Sequence, residues 1–115
     1  MVTFFSGGHV SKTLQQIKRL VESGKVRISE HGYDELSNDG LTAREIIAGV
    51  QDAVLVEDYP GYHKGATVLA LQFDKNGMPV HVVWGIPKGL EGPAVLVTAY
   101  RPDSHRWDES FTERL

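Results

Sequence analysis

The residues in this chain best suited to chemistry are its five histidines, His9, His31, His63, His81 and His105. An imidazole titrates near neutral pH and is the usual general acid or base of an enzyme. His81 is the most informative of them. It lies in Val80-His81-Val82-Val83-Trp84, where alternation puts Val80, Val82 and Trp84 on one face and His81 with Val83 on the other. A central strand would hold such a ring rigidly. The plainer reading is a core or surface histidine bonded to a neighbour. His31 sits in Ser29-Glu30-His31-Gly32-Tyr33-Asp34-Glu35. On a helix, Asp34 and Glu35 share its face, where a carboxylate could orient the imidazole or raise its pKa. A solvated helix face accounts for the same pattern. A metal site on His31 and Glu35 lacks the second histidine of a His-Glu-x-x-His helix.

A second group of candidates ends the last apolar run, Ala94-Val95-Leu96-Val97-Thr98-Ala99-Tyr100-Arg101. Alternation places Leu96, Thr98 and Tyr100 on one face, with Arg101 at the strand end. Cleavage of RNA without a metal needs a base for the 2′-hydroxyl, an acid for the departing 5′-oxygen and a cation for the phosphorane. His, Tyr, Arg and Lys can fill those roles. Trp84, Tyr100 and Trp107 could stack on bases, although such aromatics are more often core anchors. Lys88, in Gly85-Ile86-Pro87-Lys88-Gly89, could meet a phosphate, but that run lacks the Gly-Lys-Ser/Thr of a P-loop.

Composition excludes more than it selects. There is no cysteine, hence no disulfide, no thiol nucleophile and no thiolate metal site. Twelve Lys+Arg stand against fifteen Asp+Glu, so any polyanion must be met by a local patch. Lys12, Lys18, Arg19, Lys25 and Arg27 could form one, or simply a solvated face. No dinucleotide fingerprint or Gly-x-Ser-x-Gly motif is present, and no cofactor or metal is expected. The apolar opening Met1–Phe5 stops at Ser6-Gly7-Gly8, too short for a signal core or a membrane span. These features predict one cytoplasmic domain over 1–115, with residues 1–9 as a short leader.

The elements that must carry these residues follow from periodicity. Val10, Leu14, Ile17 and Val21 predict an amphipathic helix over 10–22, ended by Gly24. Lys25–Ile28 reads as a short extended link. Ser29 can cap a second helix running to about Ser37. Thr42-Ala43-Arg44-Glu45 is a capping box, with Leu41 and Ile46 placed as a hydrophobic staple, so a third helix starts there. From residue 53 the period becomes two. Strands are predicted at 54–57, 66–73, 79–85 and 94–101, with Asp74-Lys75-Asn76-Gly77 as a hairpin turn. Helices first and strands afterwards indicate an α+β fold, helices packed on one face of an antiparallel sheet.

Several of these segments together resemble the domain-of-unknown-function 4258 family. They are Ser29–Gly32, Leu41–Ile46, Val80–Gly89, Ala94–Asp103 and Trp107, spanning roughly residues 25–108. That family is similar to RelE-like and barnase/EndoU-like ribonuclease toxins. The resemblance implies N-terminal helices on a curved four-stranded antiparallel sheet. It also implies a metal-independent endoribonuclease, the toxin of a type II toxin–antitoxin pair. RNA, free or on the ribosome, would be the substrate and a cognate antitoxin the partner, with a homodimer left open. The family's histidines carry over to His31 and His81, and its strand-end residues to Tyr100 and Arg101. Thr98, Lys88 and Trp84 follow as substrate-binding candidates. A non-catalytic module binding protein or nucleic acid on the same sheet is the alternative.

Overall fold

The computed structural model describes residues 10–30, 32, 36–37 and 39–115. Helix α1 (Lys12–Glu22) begins where the Ser11 hydroxyl accepts the Leu14 N–H at 3.0 Å. It ends in a Schellman motif: Gly24 N–H reaches the Val21 carbonyl at 2.9 Å and Lys25 N–H the Leu20 carbonyl at 2.8 Å. Gly24 sits at φ +77, the left-handed conformation that this motif requires. Leu14 and Ile17 are buried. Val10, expected on the same stripe, precedes the helix and is exposed.

Ser29 caps as expected. Its hydroxyl accepts the Gly32 N–H at 3.0 Å and donates to the Val97 carbonyl at 2.7 Å, tying this turn to the last strand. Residues 30, 32, 36 and 37 are helical. His31, Asp34 and Glu35 lie outside the described residues, and with them the expected pairing of His31 with a carboxylate. Helix α2 (Ala43–Gly49) starts at Thr42, whose hydroxyl accepts the Glu45 N–H and donates to the Glu45 carboxylate. A single 3-10 turn, Val50–Asp52, extends it. Leu41 and Ile46 are both buried, as a staple requires.

The strands are β1 (Val26–Ile28), β2 (Val54–Tyr59), β3 (Thr67–Phe73), β4 (Pro79–Gly85) and β5 (Ala94–Tyr100). They form one sheet in the order β1-β5-β4-β3-β2. The fold is α+β, but the sheet has five strands and is mixed, not four and antiparallel. Within Lys25–Ile28, read from sequence as a link, Val26–Ile28 are paired in parallel with Ala94–Leu96. Three residues are too few to show a period. What recruits them is the turn after α1, which sets the chain beside β5, with Ala94 N–H on the Lys25 carbonyl at 3.0 Å.

One face of the sheet carries Val68, Ala70, Val80, Val82, Trp84, Ala94, Leu96 and Ala99, packed with α1 and α2 in a single core. The other face carries Leu69 and Leu71 of β3, His81 and Val83 of β4, and Thr98 and Tyr100 of β5, cross-strand neighbours throughout. A bulge between Val83 and Trp84 shifts the register, pairing Val83 with Thr98 but Trp84 with Leu96. Leu96 therefore belongs to the core, and the alternation that grouped it with Thr98 and Tyr100 breaks at Val97.

Over this second face runs the C-terminal segment, residues 103–115. It doubles back on itself through an antiparallel bridge between Trp107 and Arg114. The Asp108 carboxylate draws the turn together, accepting from the Ser110 hydroxyl and the N–H groups of Thr112 and Glu113. Trp107 is buried. Together with this cover, Leu69 and Leu71 are only 5% and 4% exposed although they face away from the helices. No helix among the described residues is long and apolar enough to cross a membrane.

Candidate functional site

His81 lies at the centre of the second face and is fully buried. Its ring meets Trp107 edge-on, with centroids 4.5 Å apart, and Tyr100 edge-on at 5.7 Å. Nε2 is 2.7 Å from the Phe111 carbonyl. A carbonyl can only accept, so Nε2 carries the proton and Nδ1 is left with a lone pair. That Nδ1 is buried without a partner. Phe111 itself adopts φ 60, a conformation disfavoured for a bulky side chain, at the residue whose carbonyl holds the ring. Burial pushes the His81 pKa below its ordinary value, against smaller opposing effects of the Phe111 bond and the Glu57 charge. The imidazole is neutral at neutral pH.

Beside His81 opens a shallow cleft of about 170 Å³. Glu57 and Tyr59 of β2, Tyr100 of β5 and Arg114 of the C-terminal segment converge on it over Leu69 and Val83. Arg114 grips the Glu57 carboxylate with two donors, Nε at 2.8 Å and Nη2 at 3.1 Å. The same guanidinium sits 4.7 Å above the Trp107 ring. The Tyr59 hydroxyl donates to Glu57 at 2.8 Å. The Arg114 bond holds the Glu57 carboxyl below its usual range, so it is ionised. Tyr59 is raised by its bond to Glu57, and Tyr100 by burial, so both phenols keep their protons.

The residues expected from sequence divide on this map. His81, Thr98 and Tyr100 share one face of the sheet. Trp84 does not: it is fully buried on the helix side, its indole N–H donating to the Gln72 side chain at 2.9 Å, and cannot stack on a base. Gln72 in turn donates to the Ile46 carbonyl at 2.8 Å, so the pair is a satisfied core bond. Arg101 is spent elsewhere. Its guanidinium lies 2.8 Å from Asp74, whose other carboxylate oxygen caps the hairpin through Asn76 and Met78. Lys88 stands past the far end of β4 from His81, in the loop whose backbone joins the Lys64 carbonyl. Glu57, Tyr59 and Arg114 were missed from sequence. Glu57 and Tyr59 are neighbours on β2, but Arg114 lies far away along the chain, and only the folding back of the C-terminal segment brings it to them. The i, i+2 spacing of Glu57 and Tyr59 on β2 was their only local sign.

Among the described residues no three His, Asp or Glu side chains gather as metal ligands. The family model described as a domain of unknown function, DUF4258, matches residues 28–101, well over half of the chain. The chain belongs to the DUF4258 family. The match runs from the last residue of β1 through β5, and so takes in Glu57, Tyr59, His81 and Tyr100, but stops short of Trp107 and Arg114. No curated protein and no solved structure matches the chain.

Proposed function

We propose that this DUF4258 chain is a metal-independent endoribonuclease of the toxin type, related to the RelE-like and barnase/EndoU-like enzymes and held in check by an antitoxin. The observation that carries the reading is the cleft in which Glu57, Tyr59, Tyr100 and Arg114 meet above His81. An ionised carboxylate, protonated phenols and a guanidinium are what transesterification of RNA needs. Glu57 takes the proton of the 2′-hydroxyl. The 2′-oxygen attacks phosphorus, the bond from phosphorus to the 5′-oxygen breaks, and Tyr100 gives that oxygen its proton. Arg114 balances the added charge of the phosphorane. The products are a 2′,3′-cyclic phosphate and a free 5′-hydroxyl. His81, covered by Trp107, touches no substrate in this arrangement. It is a positioning residue that holds the C-terminal segment and Arg114 over the cleft. This revises the role expected of it from sequence.

The test is cleavage of short single-stranded RNA by purified protein, alongside growth of a bacterial host after induced expression. Glu57→Gln and Tyr100→Phe should each lower cleavage by about a hundredfold or more, the usual contribution of a positioned acid or base. A 2′-deoxy substitution at the scissile nucleotide should abolish it. One observation favours the alternative of a non-catalytic binding module. Among the described residues the only imidazole on the face is sealed, and Glu57 and Arg114 already satisfy one another. Folded wild-type protein that neither cuts RNA nor arrests growth would establish that alternative.

A further inference from the structure

A second groove lies on the same sheet face, at the end the C-terminal segment leaves open. It encloses about 400 Å³. Its floor is Val83, Val95 and Val97, and its rim carries Arg27 of β1, Tyr62 and Lys64. Among the described residues no carboxylate lines it. Arg27 and Lys64 are exposed, and neither side chain makes an ion pair or hydrogen bond among the described residues. Tyr62 is half-exposed, its ring stacked at a tilt on His63. The groove shares Thr67 and Val83 with the Glu57 cleft, so the two form one trough across the strands. From β1 to β3 it crosses three strand spacings, about 14 Å.

We propose that this groove binds single-stranded RNA, with a base laid on the valine floor against Tyr62 and flanking phosphates on Arg27 and Lys64. The occupant follows from complementarity. Two unpaired cations with no competing carboxylate select an anion. An apolar floor beside an aromatic rim selects one carrying a flat apolar face, which an acidic peptide lacks. Continuity with the cleft favours a strand that passes through both. That last step rests on the nuclease reading; the binding itself does not.

The experiment measures fluorescence anisotropy of a labelled, mixed-sequence single-stranded RNA made uncleavable by 2′-O-methylation. Wild type is compared with Arg27→Gln, Lys64→Gln and the double variant, and cleavage of unmodified RNA is measured in parallel. Each single variant should weaken binding several-fold. The double variant should lose more than about tenfold and flatten the dependence of log K on log salt by about 0.7 per cation removed. Circular dichroism should stay unchanged, because both side chains are exposed and unpartnered. Equal binding by the double variant and wild type overturns the proposal. So does displacement of the RNA by poly-glutamate as effectively as by unlabelled RNA, which would make this an acidic-peptide site. If the variants weaken binding and no protein cuts RNA, the groove stands and the nuclease reading fails. If cleavage proceeds and the double variant binds and cuts like wild type, the groove fails and the nuclease reading stands.

Discussion

Glu57 and His81 illustrate how differently two titratable residues on one sheet face can be used. Glu57 is reachable and ionised, and its pair with Arg114 is partly solvated. Such pairs contribute little to stability. Glu57→Gln should therefore leave the melting temperature within a degree or two, about the effect of an ordinary surface change, while removing activity. A large fall in melting temperature would mark Glu57 as structural. His81 is the reverse. Its folded pKa is depressed below 6.5 by burial, so the unfolded chain takes up the proton first as pH falls. The contribution of neutral His81 is whole above that value and is lost as pH drops from it toward the depressed value. The slope is at most about 1.4 kcal/mol per pH unit. Glu57, Asp74, Asp103 and Asp108, all lowered, act only in the more acidic carboxylate range. Denaturant unfolding across pH should show this slope in wild type and lose it in His81→Gln, whose amide can still donate to Phe111. An identical slope in the variant would assign it to another group.

At the scale of elements, much was legible where a local rule decides. Ser29 and Thr42 cap where their types and spacing say, and Gly24 and Gly77 take the positive φ their turns need. The two faces of β3 and β4 follow from alternation. What was not legible depends on partners distant in sequence. The bulge at Val97 is a property of the β4–β5 pairing, not of either strand. β1 is a strand because β5 lies beside it. Arg101 looked like a phosphate ligand because Asp74, across the sheet end, is invisible in its neighbourhood. Gly65 is another such case. At φ +128, a Cβ there would lie 2.0 Å from the Ile86 carbonyl oxygen and 2.7 Å from Lys88 N. Both obstacles are backbone, so the loops that line the valine-floored groove must separate to admit it. Gly65→Ala should destabilise the protein by several kcal/mol, roughly the range of strained-backbone and overpacking changes. It should also weaken RNA binding at temperatures where the chain is still folded. Stability equal to wild type would mean the loops are not held together as described.

For the whole molecule, the decisive feature is that the sheet is covered twice, by helices on one face and by the C-terminal segment on the other. The second cover is small. It rests chiefly on Trp107, which packs on His81 and carries Arg114 on its outer side. Trp107→Ala should cost about 3–5 kcal/mol, the usual range for truncating a buried tryptophan. A domain of this size has about 5–15 kcal/mol in all. The variant should thus remain folded at low temperature, because the core beneath α1 and α2 is untouched. Its C-terminal segment should be loosened, and His81 should become open to reagents. Carbethoxylation mapped by mass spectrometry reads this directly. In wild type His81 should be protected while exposed His105 reacts, and in Trp107→Ala both should react. Arg114 would lose its platform, so RNA cleavage should fall with Glu57 still in place. Binding in the open groove at the other end of the sheet should persist. Continued protection of His81 in a folded variant would show that Trp107 is not what seals it. Loss of the helical core along with the segment would show that the two covers fold as one unit.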